Sequence, residues 1–344
     1  MKAVYITEHG GTGVLTYGDR PEPEIEPGEV MLRVRGSALN RLDIGLREGR
    51  SYRGPLPRIL GCDVAGEVVQ ISPDADTTLK VGDRVVMDNR VKCPGTCEYC
   101  VQGLDQYCTE QKRLGVDLEG GHAEYITAPA VNAYKIPDSM GFAEAAALPL
   151  AAHTAWHCLV TQGQIRPWDD VLIHAASSGV ASMGIQIARM MGARVITTAG
   201  VDWKIEKARE LGADEVINYR TTSSISQRVK ELTGGKGVDL VFDVVGADVW
   251  EESMLSLKPG GRLVITGVTS GARVDMNLSI LQGRPLHLMG SGGRSRRTFG
   301  DVMKMVNQGE LHGIVSQVFP LEGVAEAHQV MEDRNFFGKL VIEN

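Results

Sequence analysis

No stretch of the sequence approaches the ~18 uninterrupted apolar residues of a membrane span. The opening segment Met1–Gly10 carries no apolar core of signal-peptide length. With neither address visible, a cytoplasmic location is expected. Positive charge is in deficit: 36 Lys and Arg stand against 43 Asp and Glu, a formal charge of −7. Nucleic acid and anionic membrane surfaces therefore find no electrostatic attraction. Aromatic residues are scarce at 5%, which argues against an aromatic-rich β-sandwich. Six cysteines in 344 residues are too few for a disulfide framework and point to metal or reactive thiols. What the chain has in quantity is glycine, 41 residues, as tight βα turns require. At ~150 residues per domain the length predicts two domains.

Two grammars divide the chain. Residues 1–148 read as short strands joined by Gly/Pro turns, as in Val30-Met31-Leu32-Arg33-Val34-Arg35, Asp63–Val69 and Asp83–Met87. From about Ala143 an Ala-rich helical segment runs to Val160, and strands then alternate with helices. Strands are predicted at 171–174, 194–198, 215–217, 240–245, 262–266 and 286–289, with helices at 183–191 and 203–211. This alternation implies an α/β fold, a parallel sheet covered by helices on both faces. Residues 291–344 hold helices near 299–308 and 322–332 and a strand Lys339-Leu340-Val341-Ile342. That tail is too short to form a separate domain and is expected to return to the first half.

The turn after Ile173, His174-Ala175-Ala176-Ser177-Ser178-Gly179-Val180-Ala181-Ser182, is made of small residues and precedes a helix. Small residues let backbone approach a pyrophosphate, and the helix offers free N–H groups and a positive dipole end. Ala176, Ser178 and Ala181 occupy the glycine positions of G-x-G-x-x-G. The template match is weak by itself, but the flanking strand, helix and second strand make it a dinucleotide loop. An NAD site usually ends its second strand on Asp or Glu, which binds the ribose 2′-OH. Here Val195-Ile196-Thr197-Thr198-Ala199-Gly200 ends without a carboxylate, Asp202 lies past it, and Lys204 follows. A missing anion beside a cation favours a 2′-phosphate and hence NADPH; Lys204 also fits an ordinary solvated helix position.

Cys93-x3-Cys97-x2-Cys100-x7-Cys108 places four thiols within sixteen residues. Four thiolates close a tetrahedral zinc shell with no open position, so one structural Zn2+ per subunit is expected. Cys62 and Cys158 are isolated, and core packing suits Cys158.

Together these pieces resemble the medium-chain dehydrogenase/reductase superfamily over essentially the whole chain. The resemblance is carried by the four-cysteine lobe, Val81-Gly82-Asp83-Arg84-Val85, Gly121-His122-Ala123-Glu124-Tyr125, Leu211-Gly212-Ala213-Asp214 and Phe337-Gly338-Lys339. Ala38-Leu39-Asn40, Ile217-Asn218-Tyr219 and Thr233-Gly234-Gly235-Lys236-Gly237 are similar to its quinone oxidoreductase branch. The resemblance implies a GroES-like, mainly-β catalytic domain (1–148 and 291–344) and a Rossmann domain (149–290). It also implies a homodimer or homotetramer formed through the cofactor domains. Carried over by motif, Thr154 would lie near the nicotinamide ribose and Ser178, Gly179 and Val180 at the pyrophosphate. Gly200, Lys204 and Tyr219 would lie at the adenine ribose phosphate, and Val245, Gly267, Gly290 and Ser291 along the nicotinamide.

The family's zinc alcohol dehydrogenases hold a catalytic zinc with a Cys, a His-Glu pair and a later Cys or acidic residue. The matching positions here are Asn40, Cys62-Asp63 and the neighbourhood of Leu150, which is short of the three good ligands a zinc needs. The expected reaction is therefore NADPH-dependent hydride transfer to an activated C=C (an enone or enoyl thioester) or to a quinone, without a catalytic zinc. Asn40, Asp43 and Tyr52 are the candidate catalytic residues: Tyr52 as proton donor, Asn40 near the substrate carbonyl, Asp43 orienting the loop. Tyr52 also fits an ordinary loop aromatic, and Asn40 a turn. Two other readings stand beside this one: a zinc-dependent alcohol dehydrogenase or carbonyl reductase recruiting Cys62 and Asp63, and a non-enzymatic NADPH-binding redox sensor.

Overall fold

The computed structural model describes residues 1–50, 54–91, 93 and 95–344. The chain divides into two compact units, Met1–Leu150 with Ser295–Asn344, and Ala151–Arg294. Among the described residues no helix is long and apolar enough to cross a membrane.

The first unit is built on a long strand, β1 (Glu29–Ala38), followed by helix α1 (Arg41–Arg47). Next come β2 (Asp63–Ile71), β3 (Arg84–Met87), β4 (Tyr125–Pro129) and β5 (Ala133–Lys135), and a helix α2 (Pro149–Trp156) leads on. One edge of β1 pairs along its length with β2, antiparallel, in a register that sets Ala38 opposite Asp63. Its other edge is shared, β4 taking the first half. Val30, Leu32 and Val34 of β1 pack with Val64, Val68, Val85 and Ile126 in one apolar core. That is the period-2 pattern of a half-buried sheet.

The second unit alternates β6 (Asp170–Ile173), α3 (Gly179–Met190), β7 (Arg194–Ala199), α4 (Asp202–Glu210), β8 (Glu215–Asn218), α5 (Ile225–Leu232), β9 (Val238–Asp243), α6 (Trp250–Ser256), β10 (Leu257–Ile265) and β11 (His287–Gly290). The strands form one parallel sheet in the order β8-β7-β6-β9-β10-β11. This is the doubly wound dinucleotide order, in which ligands sit outside the carboxyl ends of the strands where the order reverses. Its core joins Leu172, Ile196, Val241 and Leu263 of the sheet to Val229 and Met254 of the helices. Helix α5 was not separately expected. It carries Ile225, Val229 and Leu232 at helical spacing, and Ser224 caps it by accepting from the Gln227 N–H. The strand expected at 240–245 lies at 238–243. It stops there because Asp243 Oδ1 accepts the N–H groups of Val245 and Gly246 and turns the chain.

From Ser295 the chain belongs to the first unit again: α7 (Arg296–Asn307), β12 (Val315–Pro320), α8 (Val324–Asp333) and β13 (Lys339–Glu343). Strand β13 takes the second half of β1's shared edge, with Val341 opposite Ala38. Ala38 thus stands between Asp63 on one side and Val341, two residues into β13, on the other.

Candidate functional site

The second unit presents its sequence-marked positions at the carboxyl ends of its strands. After β6 the chain passes through Ala175, whose φ of 58° is unusual for a residue with a side chain. Thr198 holds that turn, its Oγ1 accepting from Ala175 N at 3.0 Å and its carbonyl from Ala176 N at 2.9 Å. Ser178 then caps α3, with its Oγ 3.1 Å from Ala181 N. The helix consequently starts at Gly179, earlier than the expected 183, which places Gly179 and Val180 in its first turn. Their N–H groups are among those a helix start leaves without intrahelical partners.

Strand β7 ends on Ala199, and Asp202 is the first residue of α4 rather than the end of the strand. At Gly200 a Cβ would stand 2.5 Å from the Tyr219 ring and hydroxyl, so the phenol lies across bare backbone. Lys204, in the first turn of α4, carries its Nζ 5.2 Å from the Trp203 ring centroid. Gly200, Lys204 and Tyr219 thus surround the ends of β7 and β8. Val245, Gly267, Gly290 and Ser291 stand in turn after or at the ends of β9, β10 and β11. Gly267 is so close to β9 that a Cβ would meet Val244 O at 2.0 Å. Thr154 of α2 accepts from Arg294 Nη1 at 2.5 Å. One π-helical turn, His157–Gln162, prolongs α2 and buries Cys158. Burial pushes that thiol up to about 11, opposed by its hydrogen bonds to Ser291 and Thr266.

In the first unit, three adjacent strands bring one polar cluster together. Asn40 follows β1, Asp63 opens β2 and Lys339 opens β13. The Lys339 ammonium donates to Asn40 Oδ1 at 2.6 Å and to Asp63 Oδ2 at 2.9 Å. The side chains of this ion pair are 4% and 0% exposed. Asn40 Nδ2 donates to Asp63 Oδ2 at 2.9 Å and lies 3.4 Å from Cys62 Sγ. Asp63 Oδ1 accepts from Leu150 N at 2.8 Å. Both carboxylate oxygens are thereby bound, the condition for a buried ion pair to offset its desolvation cost. Asp43 is fully buried in α1, its oxygens accepting the N–H groups of Asn40 (2.7 Å) and Gly61 (3.2 Å). Burial pushes it up to about 6 despite those donors. Cys62 is raised well above the ordinary thiol range, by burial first and then by the Asp63 and Asp43 charges. Nearby, His122 is buried with Nδ1 2.9 Å from Ser37 Oγ, and burial holds it neutral, down at about 3. Tyr52 lies outside the described residues.

Of the four lobe cysteines, the sulfurs of Cys93, Cys100 and Cys108 lie within 4.8 Å of one another. The Cys97 sulfur is 3.3 Å from that of Cys100 and accepts its N–H at 3.5 Å. Cys100 is driven up by hydrogen bonding to Cys93 and by burial, while Cys97 is lowered by the Cys100 N–H. The three mutually close sulfurs are soft donors compatible with a thiolate-bound zinc, and Cys97 is near Cys100 but outside that mutually close set. Behind them, Asp105 Oδ2 accepts Arg296 N at 3.0 Å and ties the lobe to the start of α7.

Sequence reasoning marked Asn40, Asp43, Cys62 and Asp63 but missed Lys339 as their partner. The available signal was a lysine heading the otherwise apolar strand Lys339-Leu340-Val341-Ile342.

Residues 26–138 match the alcohol dehydrogenase GroES-like domain, and residues 179–308 match the zinc-binding dehydrogenase family. The chain is 30% identical to the quinone oxidoreductase of Pseudomonas aeruginosa, over 99% of each protein. It is 29% identical to the acryloyl-coenzyme A reductase of Metallosphaera sedula, again over 99% of each. A crystal structure described as an NAD-dependent alcohol dehydrogenase superposes with a TM-score of 0.96, at 40% identity and over the full length of both chains. A GroES-like half and a doubly wound half, matched in order and over nearly all their length, make this chain an oxidoreductase of the medium-chain dehydrogenase/reductase superfamily.

Proposed function

We propose that the chain is an NADPH-dependent reductase that delivers hydride to a small carbonyl-conjugated substrate, an enone, an enoyl thioester or a quinone, with no metal at the reacting carbon. One observation carries the reading. At the positions matching a catalytic zinc shell, Asn40 Oδ1 and both oxygens of Asp63 are engaged by Lys339, by the Asn40 amide and by Leu150 N. A catalytic zinc needs three protein ligands with free lone pairs, and this set does not fit one. Alkoxide stabilisation by a Lewis acid then has no source, whereas reduction of a conjugated acceptor needs only hydrogen-bond donors at the enolate oxygen.

NADPH, when bound, supplies the hydride. Ser178, Gly179 and Val180 would hold its pyrophosphate, and Gly200, Lys204 and Tyr219 its 2′-phosphate. Thr154, Val245, Gly267, Gly290 and Ser291 would frame the nicotinamide, largely through backbone. Gly290 supports this assignment, because no protein atom beyond its chain neighbours lies within 4 Å of where its Cβ would stand, and backbone open in this way is what close cofactor approach requires. Asn40 and Asp43 would shape the wall of the substrate pocket, and Tyr52 would give the proton to the α-carbon. Cys93, Cys97, Cys100 and Cys108 would hold one zinc in a closed shell that serves the fold. Among the described residues strand β11 has a neighbour on one side only, and Leu278 before it is 67% exposed, which supports pairing with a second copy in a homodimer or homotetramer.

A second reading, zinc-dependent alcohol oxidation or carbonyl reduction, is favoured by the name of the 40%-identical crystal structure. Deuteride from labelled NADPH separates the two. The proposal expects deuterium on the β-carbon of an enone product, and a Tyr52→Phe kcat lower by ~10²-fold. Deuterium on a carbinol carbon, with activity that tracks a second zinc, would overturn it.

A further inference from the structure

Asp243, fully buried at the end of β9, fixes two turns at once. Its Oδ1 accepts Val245 N at 2.8 Å and Gly246 N at 3.0 Å, and its carbonyl accepts Thr266 N at 2.9 Å. The turn so formed is locked to the one after β10, because Val245 O accepts both the N–H and the hydroxyl of Ser270, each at 3.0 Å. A Cβ at Gly246 would meet Gly271 O at 2.7 Å, so the two turns have no room to shift separately. The other carboxylate oxygen reaches back across the sheet. Ser253 Oγ on α6 donates to Asp243 Oδ2 at 3.3 Å, and His174 Nε2, next after β6, stands 3.0 Å from that hydroxyl. All three side chains are fully buried. A carboxylate only accepts, so the one hydroxyl proton goes to Asp243 and the imidazole must donate from Nε2. Burial pulls His174 below its ordinary range, against the Asp243 and Glu252 charges, which suits a neutral ring with its proton on Nε2. A buried chain satisfied in one direction is stiff, since breaking a link leaves a polar atom unpaired. The turn proposed for the pyrophosphate is held apart from this chain, by Thr198 through Ala175 N and Ala176 N.

We propose that Asp243 is a positioning residue for the nicotinamide half of the cofactor. Its carboxylate sets the paired turns that carry Val245 and Gly267, and Ser253 and His174 tie that carboxylate to β6. The inference rests on the cofactor placement proposed above and names the side chain that enforces it.

The test titrates NADPH, NADH and ADP into full-length wild type, Asp243→Ala, Asp243→Asn and Ser253→Ala. Emission of the bound reduced nicotinamide reports one half of the cofactor, and ADP carries only the other. Asp243→Ala should weaken the tighter-binding of the two nicotinamide nucleotides by ~10-fold or more and remove its bound-state emission, while ADP affinity stays within about twofold. Asp243→Asn keeps an acceptor oxygen for Val245 N and Gly246 N and should return to within about threefold of wild type. Ser253→Ala leaves those two bonds in place and should weaken the same nucleotide by about threefold, again sparing ADP. A merely structural carboxylate would lower melting and weaken both ligands alike. Folded Asp243→Ala with wild-type nicotinamide affinity and emission would overturn the proposal, and so would an equal loss of ADP. If Asp243→Ala does not fold, the same criteria are applied to Ser253→Ala. The direction of the chain is read from the long-range 1H–15N spectrum of histidine-labelled wild type, with His174 identified by its loss in His174→Gln. A proton on Nε2 supports the assignment, and a proton on Nδ1 overturns it. The reading of the reaction fails separately: carbinol deuteration would defeat it and leave the split between nicotinamide and ADP binding intact.

Discussion

In the unit Ala151–Arg294, the positions proposed for the cofactor lie at strand ends where backbone is packed too closely for a side chain, as at Gly200 and Gly267. In the other unit, the polar cluster is held by side chains: an amide, two carboxylates, a thiol and an ammonium gathered from three strands and a helix start. The first kind of site is sensitive above all to added volume. The second is sensitive to charge balance, because every member is buried and each holds another in place. Damage to the two should therefore read out differently, in cofactor kinetics for one and in stability for the other.

The largest expected effect is on the charge-balanced side. Asp63→Ala strands the Lys339 ammonium and should cost about 3–5 kcal/mol in urea unfolding, whereas Asp63→Asn combined with Lys339→Met should recover much of that loss. A single variant as stable as wild type would show that the pair contributes nothing. Next, chelation of the cysteine lobe should lower the melting temperature by roughly 5 °C or more, at ~2–4 °C per kcal/mol, before it changes kcat. Loss of turnover at unchanged melting temperature would instead assign the metal to chemistry. On the backbone-built side, Lys204→Ala should raise the NADPH KM by ~10-fold and leave the NADH KM nearly unchanged. Equal effects on both cofactors would remove Lys204 from phosphate recognition. The smallest effect is a pH slope. Asp43 is pushed from its ordinary 3.8 up to about 6 by burial, so the folded protein binds this proton more tightly than the unfolded chain. Its contribution to stability is present below about pH 4 and is lost as pH rises through about 6. Wild type should accordingly lose stability relative to Asp43→Asn across that window, read as urea midpoints at its two ends. A constant difference would mean that the carboxyl ionises as freely as an exposed one.

Legibility in the sequence follows the same division. The inner strands of the doubly wound sheet were readable because they hold short apolar runs that a parallel sheet buries on both faces, and the edge strands β8 and β11, half-buried or exposed, because they recur in the same alternation with helices. The turn and capped helix start after β6 were readable because their signals are local: small residues, a cap and a helix within ten positions. The cysteine lobe was readable for the same reason. Helix α5 escaped because its apolar stripe is only two turns long, and the end of β9 because the Asp243 side chain stops it two residues before the apolar run does. Lys339 was noticed only as the head of a closing strand and as part of Phe337-Gly338-Lys339. Its partners Asp63 and Asn40 are 276 and 299 residues away, and nothing in local periodicity encodes a contact at that range. Thr154 and Arg294, 140 residues apart, escaped in the same way.

The separation of Asp63 from Lys339 also has a consequence in time. At ~5–20 residues per second, a ribosome takes roughly 15–55 s to make the 276 residues between them. Through that interval the first unit's carboxylate has been synthesised and its cation has not. The stretch 151–294 is contiguous and contains every strand of its own sheet, so it can close while translation continues. The unit that begins first is thus the one that finishes last. A β1–β2 pair formed in that interval carries an uncompensated carboxylate and leaves half of β1's other edge open until β13 emerges to supply both the strand and the charge.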